Sequence, residues 1–321
     1  MRCVVTGVAG FIGSSLADRI LQDGGEVIGI DCFIDYYPRE MKERNLEKAR
    51  SFDKFTFHEA DLNSLDLAEI CAGVDYIFHQ AAQAGVRASW GEQFSIYTDN
   101  NIQASQRLLE ACRSEQVKSS LKKLVYASSS SVYGNAQTLP TTEDLRPQPV
   151  SPYGVSKLAA EHLMGLYSQE FGVPTASLRY FTVYGPRHRP DMAFHRFLKA
   201  GLTDTSLTLF DDGEQSRDFT FIDDVLQANL DAAKYEGSEL VFNIGGGSRV
   251  SMNQVIEKME SILGKSLKVE RGPRQKGDVK HTGADTFRAR EGFGYSPKVS
   301  LEEGLKAEAD WLEQVVLKSG S

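Results

Sequence analysis

Short, largely apolar runs at 3–6, 27–30, 55–58, 76–79 and 124–127 alternate in the first half of the chain with longer stretches at 11–22, 40–50, 65–71 and 93–113. In the longer stretches apolar residues recur at helical spacing. The short runs predict strands buried on both faces, and their alternation with helices is the pattern of a parallel sheet covered on both sides. A further helix is predicted over 152–171, leading into a strand at 175–180. After Thr182 the rhythm changes. Short strands at 207–210, 219–221, 241–244 and 267–270 mix with shorter helices, and turn residues crowd at Asp211-Asp212-Gly213 and Gly245-Gly246-Gly247. The expectation is an α/β protein: a doubly wound parallel sheet in residues 1–181, and a smaller C-terminal α/β lobe, 182–321, set over the carboxyl ends of the main strands. The boundary is soft, because one strand beyond Thr182 could rejoin the large sheet.

Residues 6–13, Thr-Gly-Val-Ala-Gly-Phe-Ile-Gly, follow the first strand and open the first helix. Gly7 suits a tight turn, Gly10 lets the backbone approach a pyrophosphate, and Gly13 lets helix and strand pack closely. With Phe11 and Ile12 they offer unpaired N–H groups and the positive end of a helix to phosphate. A glycine triplet alone is weak evidence, but the strand–turn–helix context is present. Asp31 closes the next strand. Its carboxylate can accept bonds from the adenosine ribose and would repel a 2′-phosphate, so the expected cofactor is NAD rather than NADP in a Rossmann fold. Asp61 and Leu62, at the end of the third strand, are candidates for the adenine.

Tyr153 and Lys157 stand one helical turn apart, on the same helix face. A nearby cation favours phenolate and lowers a tyrosine pKa from about 10, so Tyr153 is the expected proton acceptor and donor. The run Ser128-Ser129-Ser130-Ser131 leaves its strand at the same edge, where a hydroxyl can bond the substrate oxygen that Tyr153 serves. Ser129 and Ser130 are the candidates.

Composition narrows the partners. A net charge of −8 argues against a nucleic-acid groove, which needs clustered Lys and Arg, while leaving room for a local basic pocket. The longest apolar run is too short to cross a bilayer. A strand and glycine turn starting at Arg2 leave no place for a signal peptide, so a cytoplasmic protein is expected. Cys3, Cys32, Cys71 and Cys112 form no CxxC pair and no zinc spacing, and read as reduced thiols. His79, His188 and His195 show no metal spacing, and no metal is expected. Trp90 and Trp311 read as packing residues, and residues 318–321 as a frayed or expression-derived tail.

Together these elements resemble the extended short-chain dehydrogenase/reductase family over nearly the whole chain. The motifs are TGVAGFIG at 6–13, HQAA at 79–82, NNIQASQRLLEA at 100–111, YASSSSVYG at 126–134, SPYGVSK at 151–157, LRYFTVYGPR at 178–187, SRDFTFIDD at 216–224 and FNIGGG at 242–247. The set looks like the NDP-sugar 4-epimerase branch, and most like UDP-glucuronate 4-epimerases. The resemblance implies Tyr153 as base, Lys157 as its partner and Ser129 in the catalytic Ser/Thr position. It implies Gln80, Ala81, Ala82, Asn101, Tyr180 and Phe181 near the cofactor, Arg217 on the nucleotide diphosphate and Asp278 near the uridine ribose. Where the family often has Arg-Pro-Gly-Asp, this chain has Gln275-Lys276-Gly277-Asp278, with Arg274 one place early. A homodimer through a four-helix bundle, built from the helices near 93–113 and 152–171, is also implied.

Dehydratases and decarboxylases of this family carry a carboxylate where this chain has Ser130-Ser131-Val132, which favours plain epimerisation. The strand exit is Tyr180-Phe181-Thr182, where UDP-galactose 4-epimerases have Tyr-Phe-Asn. The following segment carries Arg187, Arg189 and Arg196, expected where sugar and diphosphate sit. An arginine fork can hold a carboxylate, so UDP-glucuronate is the favoured UDP-sugar. Oxidising its C4 makes a β-keto acid prone to lose CO₂, and Arg189 with Thr182 is the expected clamp against that loss. Rival readings are a UDP-glucose or UDP-N-acetylglucosamine 4-epimerase, a net oxidoreductase, and a nucleotide-sensing regulator. The last would be expected to lack Tyr153 or Lys157.

Overall fold

A computed structural model describes residues 1–317. The tail expected at 318–321 lies outside the described residues.

The strands are β1 (Arg2–Thr6), β2 (Glu26–Asp31), β3 (Phe55–Glu59), β4 (Tyr76–His79), β5 (Lys123–Ser129), β6 (Thr175–Tyr180), β7 (Thr182–Tyr184), β8 (Ser206–Phe210), β9 (Ser216–Phe221), β10 (Val241–Ile244), β11 (Arg249–Ser251) and β12 (Lys268–Gly272). Between them lie α1 (Phe11–Gln22), α2 (Arg39–Leu46), α3 (Leu67–Ile70), α4 (Phe94–Tyr97), α5 (Ala104–Cys112), α6 (Glu115–Lys118), α7 (Pro152–Phe171), α8 (Ala193–Leu202), α9 (Ile222–Ala233), α10 (Met252–Leu263), α11 (Phe287–Phe293) and α12 (Leu301–Leu312).

Seven strands form one parallel sheet in the order β10-β6-β5-β4-β1-β2-β3. Alternate residues serve opposite faces. Cys3, Val5, Val125 and Ala127 pack with α1 and α9, while Val4, Leu124 and Tyr126 pack with α5 and α7. Strand order reverses between β1 and β4, and ligands of such sheets bind in the crevice outside the strand ends there. β10 comes from the C-terminal half yet lies beside β6. The other C-terminal strands form two small sheets, β11-β9-β7 and β12-β8.

Local signals account for α7, the helix that carries Tyr153 and Lys157. The Ser151 side chain caps α7 by accepting from the Gly154 amide, Pro152 opens it, and Gly172 ends it with φ +69°. The predicted helix at 93–113 is instead α4, a π-helical stretch Thr98–Gln103, and α5. The helix predicted at 40–50 ends at Leu46, and that at 65–71 shrinks to α3. β7 and β11 were not predicted; three residues give no readable period, and both exist by pairing with β9. Cys3, Cys71 and Cys112 are buried free thiols and Cys32 is exposed. Trp311 packs edge-on to His195, but Trp90 is 50% exposed, so the packing role expected of it is not seen.

Candidate active site

At the strand-order reversal lies a cleft of about 1150 Å³, counting its open mouth. Its floor is the glycine turn. Gly7 has φ +66°, and a Cβ there would stand 2.8 Å from the Ala81 backbone. At Gly13 a Cβ would fall 2.2 Å from the Gly7 carbonyl oxygen. No side chain caps the first turn of α1, so its N–H groups remain available to an anion. Asp31 Oδ2 accepts from the Ala9 amide at 3.0 Å and Oδ1 from the Phe33 amide at 2.8 Å. Burial raises the Asp31 pKa while these two amides oppose the rise. A cradle closed to any Cβ, an uncapped helix start and an acid at the ribose position together fit a dinucleotide.

Of the cofactor candidates, Gly7, Gly10, Phe11, Ile12, Gly13, Asp31, Asp61, Leu62, Gln80, Ala81, Ala82, Tyr153, Lys157 and Tyr180 line this cleft. Asn101 lies behind it. Its Nδ2 donates to Gln83 O at 3.0 Å and Ser156 Oγ at 2.8 Å, while Oδ1 accepts from the Gln83 amide at 2.7 Å. Ser156 Oγ in turn donates to Tyr153 O. From the π-helical turn, Asn101 thus ties the β4 exit to α7; π-turns are frequent at functional sites. His79 extends this framework, bridging Thr6 Oγ1 at 2.7 Å and Ser105 Oγ at 2.9 Å. Tyr36, Tyr37, Lys42 and Gln83 also line the cleft and were missed. The only sequence signal was the aromatic pair just beyond Asp31.

Tyr153 packs edge-on against Tyr97, with ring centroids 6.3 Å apart, and Ser129, whose Oγ accepts from Ser131 Oγ at 2.8 Å, lies near its phenol. Burial raises the Tyr153 pKa; Arg189 and Ser129 pull it down. The cation expected to do this was Lys157. Lys157 Nζ instead donates to Ala127 O at 2.6 Å and lies 4.8 Å above the Tyr126 ring. Burial pushes the Lys157 pKa down to about 7, with Glu161 opposing.

The arginines separate. Arg187, at φ +70°, pairs with Asp18 of α1 at 2.7 Å, away from the place expected for it. Arg189 lines the cleft. Arg196 lies 5.9 Å from the Phe210 ring centroid, and Arg87 lies 4.4 Å from the same ring. Arg217 is fastened by the carbonyls of Ser216, Val279 and Lys280. Asp278 pairs with Arg87 at 2.7 Å. Arg87 and Phe210 had not been singled out, because the residues that make them a pair are far apart in sequence. Ser130 follows Ser129 at the strand exit, and Thr182 opens β7 opposite Phe219. Among the described residues no cluster of three or more His, Cys, Asp or Glu could hold a metal ion.

His195 yields a pH prediction. It is buried, donates Nδ1–H to His188 O at 2.8 Å, and burial pushes its pKa down to about 4. An unfolded histidine titrates near ~6.5, so between these values the unfolded chain binds more protons. The contribution to stability is therefore whole above the unfolded value and is lost as pH falls toward the folded one, at up to about 1.4 kcal/mol per pH unit. Urea unfolding of His195→Phe across this window should show a shallower pH slope than wild type; equal slopes would refute the assignment.

A model of the NAD dependent epimerase/dehydratase family matches residues 3–245. The chain belongs to that family. An uncharacterised UDP-glucose epimerase of Bacillus subtilis is 45% identical over 319 residues, 98% of this chain and 99% of the relative. A UDP-glucuronate 4-epimerase of Thermodesulfobacterium geofontis is 38% identical over 316 residues, 97% and 96% of the two chains. The crystal structure of a UDP-glucuronic acid 4-epimerase from Bacillus cereus, in complex with UDP-glucuronic acid and NAD, has a TM-score of 0.93 at 43% identity, over 98% of this chain and 100% of that one. The epimerase/dehydratase family is NAD dependent, and the glycine cradle and Asp31 fit that cofactor.

Proposed function

We propose that the protein interconverts UDP-glucuronate and UDP-galacturonate by epimerisation at C4. The observation that carries this is Tyr153 in one cleft with both a dinucleotide cradle and Arg189, with Ser129 beside its phenol. The absence of a carboxylate among Ser130, Ser131 and Val132 favours epimerisation over elimination, and two of the relatives described above act on the glucuronate sugar.

Bound NAD⁺ supplies the acceptor and then the donor of the C4 hydride, so that C4 passes through a ketone without net redox change. Tyr153 Oη takes the C4-hydroxyl proton and later returns it, with Ser129 bonded to the same oxygen. Lys157, held by Ala127 O beneath the cleft, contacts the nicotinamide ribose. Arg87, Arg196 and Arg217 hold the diphosphate, Phe210 meets the uracil, and Asp278 meets the uridine ribose. These anchors stay fixed while the sugar turns about its glycosyl–phosphate bond and presents the opposite face of C4. Arg189, with Thr182 and Ser130, holds the sugar carboxylate.

Residues 1–181 serve the dinucleotide and 182–321 the nucleotide sugar, with β10 crossing back to the large sheet. A homodimer through α7 and the 94–112 segment would cover Phe94, Val155, Leu166 and Phe171, which are 36–50% exposed. No helix among the described residues is long and apolar enough to cross a membrane, and a cytoplasmic location accords with that.

Incubation with UDP-glucuronate and catalytic NAD⁺, followed by product separation, should give UDP-galacturonate. The relative named as a UDP-glucose epimerase supports a second reading, and turnover of UDP-glucose alone would establish it in place of the first. With glucuronate as substrate, Arg189→Ala should raise KM at least about tenfold, in line with a charge-assisted bond worth about 1.5–3 kcal/mol. It should also release a decarboxylated UDP-pentose; unchanged kinetics would remove the clamp assignment.

A further inference from the structure

Arg189 already holds a carboxylate of its own chain. Its Nε donates to Asp191 Oδ1 at 3.0 Å, and Nη2 donates to Asp191 Oδ2 at 3.2 Å and to Met192 Sδ at 3.3 Å. Tyr36 Oη donates to the same Oδ2 at 3.2 Å, and the guanidinium lies 5.8 Å from the Tyr36 ring centroid. Tyr36 belongs to the loop that leaves β2 after Asp31. Its hydroxyl also fills the space above Gly85, where a Cβ would fall 2.3 Å away. Three segments therefore converge on this pair: the loop beyond the ribose acid, the β4 exit and the turn that carries Arg189.

Stability is a poor explanation for the arrangement. The two side chains are 23% and 35% exposed, and ion pairs so open to water contribute little. Orientation is the larger effect. A guanidinium on a long stem is mobile until one edge is fixed, and a two-point bond to a carboxylate fixes that edge. Nη1 has no hydrogen-bond partner among the described residues and is left for a ligand.

We propose that Asp191 is a positioning residue that holds Arg189 by its Nε/Nη2 edge, so that the sugar carboxylate meets the Nη1 end rather than the whole fork, and that Tyr36 ties this setting to the cofactor loop. The proposal rests on reading Arg189 as the carboxylate clamp. Its consequence lies at the ketone stage. If the sugar ring puckers until the C5–carboxylate bond stands parallel to the ketone π system, that bond's electron pair passes into an enolate, CO₂ leaves, and C5 takes a proton from water. An arginine fixed by Asp191 holds the carboxylate against that swing, while an arginine free to move follows it. For any sugar, Asp191 also balances a cation placed near Tyr153, whose pKa Arg189 pulls down.

A double-mutant cycle on the NAD-loaded enzyme separates this role from a structural one. The four proteins are wild type, Asp191→Asn, Arg189→Ala and the double variant, with kcat, KM and UDP-pentose yield measured on UDP-glucuronate. In the wild-type background, Asp191→Asn should lower kcat about tenfold, the scale of effect expected from small misplacements. KM should move far less, and pentose yield should rise. In the Arg189→Ala background the same substitution should change nothing beyond about twofold. Tyr36→Phe should move the same quantities in the same direction by less. Equal losses in both backgrounds, or no loss in the wild-type background, would overturn the proposal. A wild type that turns over UDP-glucose alone would remove the glucuronate reading; the kcat cycle is then run on that sugar, where coupling supports Asp191 acting through Arg189 and additivity rejects it.

Discussion

Tyr153→Phe should turn over its nucleotide sugar about 10²–10⁴-fold more slowly than wild type, the range that a positioned proton-transfer group contributes. The substitution removes one oxygen and leaves the ring packed against Tyr97. The glycine turn and the start of α1, proposed to hold NAD, do not involve that oxygen, so the variant should retain its cofactor. The two effects are measured separately: initial rates on the sugar nucleotide, and NAD released per chain on denaturation. Ser129 cannot substitute, because a serine hydroxyl lacks the acidity that Arg189 and the bound cofactor can draw from a phenol. Near-wild-type turnover in a variant that keeps its NAD would end the proposed chemistry.

Glu161→Gln should destabilise the fold by about 3–5 kcal/mol, the usual result of removing one partner from a buried ion pair. Arg179 and Glu161 are 5% and 4% exposed and meet at 2.6 Å, with a second bond from Arg179 Nε at 3.0 Å. Ser128 Oγ donates to the same carboxylate at 2.5 Å, and Arg179 Nη1 donates to Tyr133 Oη, which donates to Asn243. One cluster thus joins α7, β5, β6 and β10 directly behind Lys157. Glutamine keeps the shape but leaves the guanidinium uncompensated in a poorly hydrated place. Replacing both charges, with Glu161→Leu and Arg179→Met together, should recover part of the loss, since a buried pair exchanged for apolar side chains is often tolerated. Urea midpoints at constant m-value decide the matter; a cost below about 1 kcal/mol for the single variant would show that the pair is well solvated.

Sequence reasoning had no access to that cluster. Glu161 lies inside a long amphipathic helix and Arg179 inside an apolar strand, and no local pattern couples them. The same limit explains the altered electrostatics at Tyr153. Helical spacing alone predicts that Lys157 is the nearby cation, but Lys157 Nζ is drawn to the Ala127 carbonyl at the end of β5. Arg189 arrives from a segment that follows two further strands. Arg187 and Arg189 look equivalent in sequence; a left-handed backbone at Arg187 and the carboxylate of Asp18 send it to α1, while Asp191 and Tyr36 keep Arg189 at the cleft.

The chain by itself determined the strand–helix alternation, the glycine cradle with Asp31 and the capped helix that carries Tyr153. Each of these depends on neighbours within a few residues or on a repeating period, so the order of side chains carries them directly. Only the tertiary structure decided the π-helical turn at Asn101, the short strands β7 and β11, the meeting of Arg87 with Phe210 and Asp278, and the carboxylate that holds Arg189. Those features are contacts between segments far apart along the chain, and side-chain direction there follows from how the packed sheets and loops approach one another.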